Sequence, residues 1–413
     1  MKVWYWYKDK AFEDIRDITL NNRLKPDWNY IFEEYLPYQV FISGRTFFED
    51  LKIYAAPLWR PGLKFEEPKS FSRELFSESI ERYMWENRED EGRVIAAVSG
   101  GVDSSAVALE IKPELIYTGY YDDPAYDETP YSKAVAQEIR SLYYAYKLTE
   151  QDFLDNLTDY VEVIGVPAGG LGGVMELSLL RKVLVDVPDT KYVLFGNGGD
   201  EIFMGYFYNH YVKNFIRMSQ TEDEYMPNFL PSKIGLADKL LDFIIVASIN
   251  RSSLDSLFTR FSIDFINRLK KYETYLEKML YININITLPT LLHLNQQICK
   301  ANGVKGLNPL SNYQLISVAE VVNTPMSDIP KEKLRKIHPN MPRIIVENRN
   351  KNGFPIPLHK WKEAAKFIGV LYNKFFERKE VKSGLGEPKP YRGINRYSWA
   401  VALSELTLQK QGL

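Results

Sequence analysis

The chain has 413 residues, enough for two or three domains at roughly 150 residues each. Its 52 Lys and Arg against 54 Asp and Glu leave a net charge of −2, which excludes a polybasic nucleic-acid or membrane binder driven by bulk charge. A hydrophobic fraction of 45% excludes a disordered chain, and one Cys with four His excludes a disulfide framework and a Cys-rich zinc site.

The first residues, MKVWYWYKDK, show no small-residue cleavage site after an apolar core. The longest apolar run, 240–249, is interrupted by Asp242 and falls short of the roughly 20 residues of a membrane span. A cytoplasmic location is expected. The first ~65 residues are aromatic-rich and read as a small strand and loop unit. Residues 70–87 read as a helix capped by Ser70 or Ser72, with Leu75, Ile80, Tyr83 and Met84 on one face. RVIAAV at 93–98 is a short apolar run expected of a buried parallel strand. A helix over 104–111, a strand over 115–120, a helix over 129–142, a strand over 160–164, a helix over 175–185 and a strand over 192–195 follow. This alternation predicts an α/β fold with a doubly wound parallel sheet. Beyond Tyr206 helical spacing dominates, apart from a strand-like stretch at 281–287. The expected domains are residues 1–68, 69–210 and a mainly helical lobe at 211–413.

Two glycine-rich turns follow predicted strands, where open α/β sheets bind ligands. The first is Ser99-Gly100-Gly101-Val102-Asp103-Ser104-Ser105. Its glycines let backbone N–H groups approach an anion, the following helix N-terminus adds positive potential, and the serines add donors. An Asp inside a phosphate cradle suggests an intervening Mg²⁺. No Gly-Lys-Ser/Thr follows, so this is not a Walker A loop. The second turn is Phe195-Gly196-Asn197-Gly198-Gly199-Asp200-Glu201.

SGGVDSS resembles the PP-loop of the ATP pyrophosphatases. The second turn, continued by Ile202-Phe203-Met204-Gly205-Tyr206, resembles the S-G-x-G-x-D-E-x-F-x-G-Y pattern of asparagine synthetases. Lys351-Asn352-Gly353-Phe354-Pro355-Ile356-Pro357 with Trp361 resembles that family's late K-x-G-F-x-x-P-x-x-x-W signature. Leu288-Pro289 with Leu291-Leu292, Arg335, Pro342 and Asp127-Glu128 with Tyr131 agree with it in order. Glu34-Tyr35-Leu36 and Gly44-Arg45-Thr46 are similar to the end of its glutaminase domain, so residues 1–68 are expected to be a degenerate remnant of that domain.

The resemblance implies an adenine nucleotide α-hydrolase-like core and an ATP-dependent, AMP- and pyrophosphate-forming ligase that adenylates a carboxylate and passes it to an amine or ammonia. Val98, Ser99, Gly100, Gly101, Asp103, Ser104, Ser105, Thr118 and Gly196 are expected to bind ATP, and Asp103 and Asp200 to hold Mg²⁺. Lys351 and Asn197 are the catalytic candidates, and Arg335 and Arg343 weaker phosphate binders. A glutaminase needs a free N-terminal cysteine, whereas Lys2 follows Met1 here and Cys299 is expected to be a buried hydrophobe, so no glutamine hydrolysis is expected.

Departures from the pattern sit on the acceptor side. Asn197 stands where the family carries Glu, or Tyr in its β-lactam-forming relatives. Gly165-Val166-Pro167 replaces D-E-P and leads into a loop with four glycines, and the segments 295–300 and 304–309 lack the family's acid and Arg. ATP activation is therefore expected to be kept while the acceptor differs from aspartate and ammonia. Ammonia-dependent asparagine synthesis and a non-catalytic nucleotide-binding partner protein remain alternatives. The expected partners are a small-molecule carboxylate, an amine or ammonia, a separate ammonia-supplying or carrier protein and a second copy of the chain, with neither nucleic acid nor membrane.

Overall fold

The computed structural model describes all residues except 57–69, 207–208, 211–259, 325–326, 349–355, 387 and 389. Its first element is an antiparallel sheet of β1 (Lys2–Tyr7), β2 (Lys10–Phe12) and β3 (Leu51–Ala56), in the order β2-β1-β3. A helix, α1 (Arg73–Asn87), follows, capped by the Ser72 side chain.

The nucleus of the molecule is a second sheet. It comprises β4 (Arg93–Ala97), β5 (Leu115–Tyr120), β6 (Leu142–Lys147), β7 (Thr190–Leu194) and β8 (Lys305–Leu307). The order is β6-β5-β4-β7-β8 and every pairing is parallel. The helices α2 (Val102–Ile111), α3 (Thr129–Ile139), α4 (Glu150–Ile164) and α5 (Gly172–Asp186) provide the crossovers, and the chain reverses direction between β4 and β7. This is the doubly wound sheet that the alternation predicts. Its fifth strand comes from 305–307, within the segment expected to be a separate helical lobe.

Alternate residues of the strands enter two different cores. Ile95, Leu115, Tyr117 and Val193 face a core shared with the N-terminal sheet, α4, α5 and the C-terminal helices α6 (Leu288–Ala301), α7 (Lys362–Glu377) and α8 (Arg396–Lys410). Val94, Ala96, Ile116, Tyr192 and Leu194 face the other, with α1, α2, α3 and residues between 261 and 346. Burial on both faces explains why these strands read as unbroken apolar runs. The N-terminal sheet is fastened to α6 through the buried Tyr5 hydroxyl, which meets His293 Nδ1 at 2.7 Å and accepts from Gln297 Nε2 at 3.0 Å.

Three expectations are corrected. YVEVI at 160–164 is the end of α4, whose apolar positions Phe153, Leu157, Tyr160, Val161 and Ile164 keep helical spacing from a Thr149–Asp152 capping box. Residues 283–287 form a π-helical turn between the helix Tyr275–Ile282 and α6, not a strand. The helix expected to reach 142 stops at Arg140, which adopts a left-handed φ of 57°, and β6 follows at once. The apolar run 240–249 lies outside the described residues. Among the described residues no helix is long and apolar enough to cross a membrane.

Candidate active site

The two glycine-rich turns meet at the carboxyl ends of β4 and β7, at the switch point of the sheet. In the first, Gly101 caps α2, Ser99 Oγ accepts from Gly101 N at 3.2 Å, and Ser104 Oγ accepts from Ser99 N at 3.2 Å. Ser105 Oγ donates to Gly101 O at 2.8 Å. Asn348 Nδ2 donates to Gly100 O at 3.2 Å. Val98 and Thr118 are buried neighbours at the ends of β4 and β5, with Val98 N donating to Tyr117 O at 3.0 Å.

Gly196 is required where the turns touch. A Cβ there would lie 2.5 Å from Ser104 N and 2.9 Å from Asp103 C, closer than real Cβ atoms come to backbone. Gly198 adopts a φ of 105°, which side chains rarely tolerate. Glu201 holds this turn from behind: it accepts from Gly198 N at 3.2 Å and from the Tyr206 hydroxyl.

Close contact of the turns brings Asp103 and Asp200 to one point, and Lys331 occupies it. Its ammonium pairs with Asp103 Oδ2 and, at 2.6 Å, with Asp200 Oδ1. The Lys331 side chain is 4% exposed. Burial pushes its pKa down, and Asp103 and Glu201 oppose that. The sequence offers no signal for Lys331, which sits 228 positions from Asp103 and outside any glycine-rich turn.

The residues fit a divalent cation. Asp103 Oδ1 is buried without a hydrogen-bond partner, and carboxylate oxygens are the donors Mg²⁺ prefers. Among the described residues no group of three or more His, Cys, Asp or Glu could hold a metal, so phosphate oxygens would have to complete the coordination. A cavity of about 280 Å³ opens beside Lys331, lined by Phe203, Met204, Asn323, Ser327 and Glu332. A larger one of about 360 Å³, lined by Arg73, Lys112, Arg140 and His338, lies at the C-terminal ends of α2 and α3, where helix dipoles disfavour anions.

In the second turn Asn197 joins a chain of amides. Asn197 Nδ2 donates to Asn308 Oδ1, Asn308 Nδ2 to Asn295 Oδ1 and Asn295 Nδ2 to Glu176 Oε1, each at 2.9 Å. Burial raises the Glu176 pKa, and the Asn295 hydrogen bond partly offsets this. No acid lies within 295–309, but α5 carries one, Glu176, to the same place.

Lys351 lies outside the described residues. Arg335 is used structurally, donating to Pro330 O at 2.9 Å, Ile345 O at 3.0 Å and Val346 O at 3.3 Å. Arg343 is exposed and pairs with Glu347. Cys299 is buried, and burial pushes its thiol pKa up.

The chain is 33% identical over 133 residues to a Methanocaldococcus jannaschii protein named "Putative asparagine synthetase (glutamine-hydrolyzing) 2", covering 30% of this chain and 24% of that one. It thus spans about a quarter of that relative's length. Two solved structures align at low similarity: an NMN synthetase from Francisella tularensis (TM-score 0.25, 13% identity, 56% of this chain and 94% of that one) and a U34-tRNA thiolase from Methanococcus maripaludis (TM-score 0.24, 14% identity, 51% and 77%). The asparagine synthase family model matches residues 72–396, which include both turns, Lys331 and the amide chain. The chain belongs to the asparagine synthase family.

Proposed function

We propose that this chain is an ATP-dependent, AMP- and pyrophosphate-forming ligase that joins a carboxylate to an amine or ammonia. The observation that carries this reading is the convergence of Asp103, Asp200 and Lys331 where two glycine-rich turns abut. Such chemistry needs positioning and charge neutralisation more than a covalent protein intermediate. A carboxylate oxygen attacks the α-phosphorus of ATP, the bond to the bridging oxygen breaks, and pyrophosphate leaves. The amine then attacks the acyl carbon, AMP departs with the bonding electrons, and one proton is lost.

In this reading Ser99, Gly100, Gly101, Ser104 and Ser105 cradle the leaving pyrophosphate. Val98, Thr118 and Gly196 line the adenosine side. Asp103 and Asp200 would hold Mg²⁺, which when bound would offset phosphate charge. Lys331 is placed to follow charge onto the pyrophosphate, and Lys351 is the candidate for stabilising charge at the acyl centre. The buried ammonium of Lys331 is effective in such a role because no solvent has to reorganise.

Chromatography of the nucleotide products tests the proposal. Mg²⁺, ATP, hydroxylamine and a panel of small carboxylates should yield AMP and pyrophosphate. Accumulation of ADP and phosphate would overturn it.

A further inference from the structure

The acceptor side holds a carboxylate that no motif marks. All three amide groups of the Asn197–Asn308–Asn295 chain turn their NH₂ toward Glu176. An ionised carboxylate only accepts hydrogen bonds. It therefore draws the NH₂ of Asn295, which leaves Asn295 Oδ1 for the NH₂ of Asn308. Asn308 Oδ1 is left in turn for the NH₂ of Asn197. The orientation of each amide is thus set from one end of the chain.

What remains is Asn197 Oδ1. It accepts no hydrogen bond among the described residues, and Asn197 is only partly buried. It belongs to the turn whose preceding residue, Gly196, touches the ATP-side loop.

The packing is built for this path. A Cβ at Gly306 of β8 would lie 2.8 Å from Asn295 Oδ1 and 3.0 Å from Cys299 Sγ, so a side chain there would push the chain aside. The titratable groups that face Glu176 are Tyr117 of β5, Tyr160 of α4 and Cys299 of α6. All three are kept neutral by burial, and among the described residues no cation pairs with Glu176. Glu176 itself is half-buried.

We propose that Glu176 is a positioning residue for amide formation: through Asn295 and Asn308 it fixes Asn197 with its side-chain oxygen presented to an N–H of the attacking amine. This rests on the ligase reading above. The acceptor half-site then takes a primary amine or ammonia as an N–H donor. Asn197 orients the nucleophile and takes no proton, because an amide is not a base at neutral pH. The surplus proton leaves to water after the nitrogen–carbon bond forms and AMP departs. Protonation of Glu176 lets it donate as well as accept, and the chain then loses its enforced direction.

The test compares wild type, E176Q and E176L. Hydroxylamine serves as the amine, and acetate, L-aspartate and L-glutamate serve as carboxylates. In E176L the hydroxamate formed per pyrophosphate released should fall about tenfold, the worth of one hydrogen bond, with a raised KM for hydroxylamine. E176Q, which can still accept from Asn295, should fall less. An unchanged ratio in E176L overturns the inference. A second arm needs no turnover. In protein labelled with ¹⁵N at asparagine, the Asn197 NH₂ signals, assigned with N197A, should move as pH falls through Glu176 protonation and stay flat in E176Q. Signals indifferent to pH in the wild type also overturn the inference. Failure of the wild type to release pyrophosphate would count against the ligase reading, and the NMR arm would still decide the role of Glu176.

Discussion

Lys331 puts one ammonium between two carboxylates, and removing it should leave like charges facing each other in a buried place. Breaking one partner out of a buried ion cluster costs about 3–5 kcal/mol. K331M should therefore unfold at lower temperature than the wild type, and millimolar Mg²⁺ should recover more stability in K331M than in wild type. Thermal unfolding with and without Mg²⁺ reads this directly. Equal recovery in both proteins would mean that the two carboxylates do not offer a cation site. D103N also breaks the cluster, so it should fold but unfold at a lower temperature than wild type, and below that temperature it should lose most turnover; unchanged turnover would remove Asp103 from the ATP side. Asp103 and Asp200 were legible in the sequence because each sits in a turn whose glycines and flanking strand mark it. Lys331 and Glu176 were not. Their partners lie 228 positions away for Lys331 and 119 for Glu176, and distance in sequence carries no local pattern.

The turns, not their side chains alone, are the working elements. G196A would press a methyl group against the backbone of Ser104 and Asp103. The expected result is a folded protein that loses ATP binding, seen as loss of ATP-dependent thermal stabilisation. Normal ATP stabilisation of G196A would show that the turns need not touch. At the N-terminal sheet, Glu34 accepts from Ile42 N at 2.9 Å and Ser43 N at 2.8 Å, yet burial wins and raises its pKa from 4.5 to about 7. A carboxyl raised on folding contributes stability that is fully present below the unfolded pKa and lost as pH rises toward the folded one. Wild-type stability relative to E34Q should thus decline between about pH 4.5 and 7, as denaturant unfolding at several pH values would report. A constant difference would mean that Glu34 is already ionised.

Among elements, β4, β5 and β7 were readable because burial on both faces makes them apolar runs. The edge strand β6 was hidden, since Leu142 and Tyr144 are exposed and its first residue continued a helical pattern. Strand β8 has only three residues, too few for any period. The YVEVI segment misled because five residues of a helix, read alone, look β-branched.

At the scale of the molecule, one sheet organises two cores, and segments from both ends of the chain close over it. In the proposed reading, the two turns and Lys331 form an ATP side, and Asn197 with α5, α6 and the residues after β8 forms an acceptor side. The departures from the family pattern, Asn197 among them, fall on the second. Aspartate with ammonium should therefore be a poor pair, with kcat/KM for asparagine formation well below ~10⁴ M⁻¹s⁻¹. A value at or above that would return the chain to ordinary asparagine synthesis. The single cysteine is buried with its thiol pKa raised, so the purified chain should release no glutamate from glutamine.

During turnover a carboxylate oxygen should become bonded to the α-phosphorus of ATP. A turned-over carboxylate labelled with ¹⁸O in both oxygens tests it. Mass spectrometry of the products should find one ¹⁸O in the phosphate of AMP and none in pyrophosphate. Label in inorganic phosphate, with ADP as the other product, would contradict carboxylate adenylation.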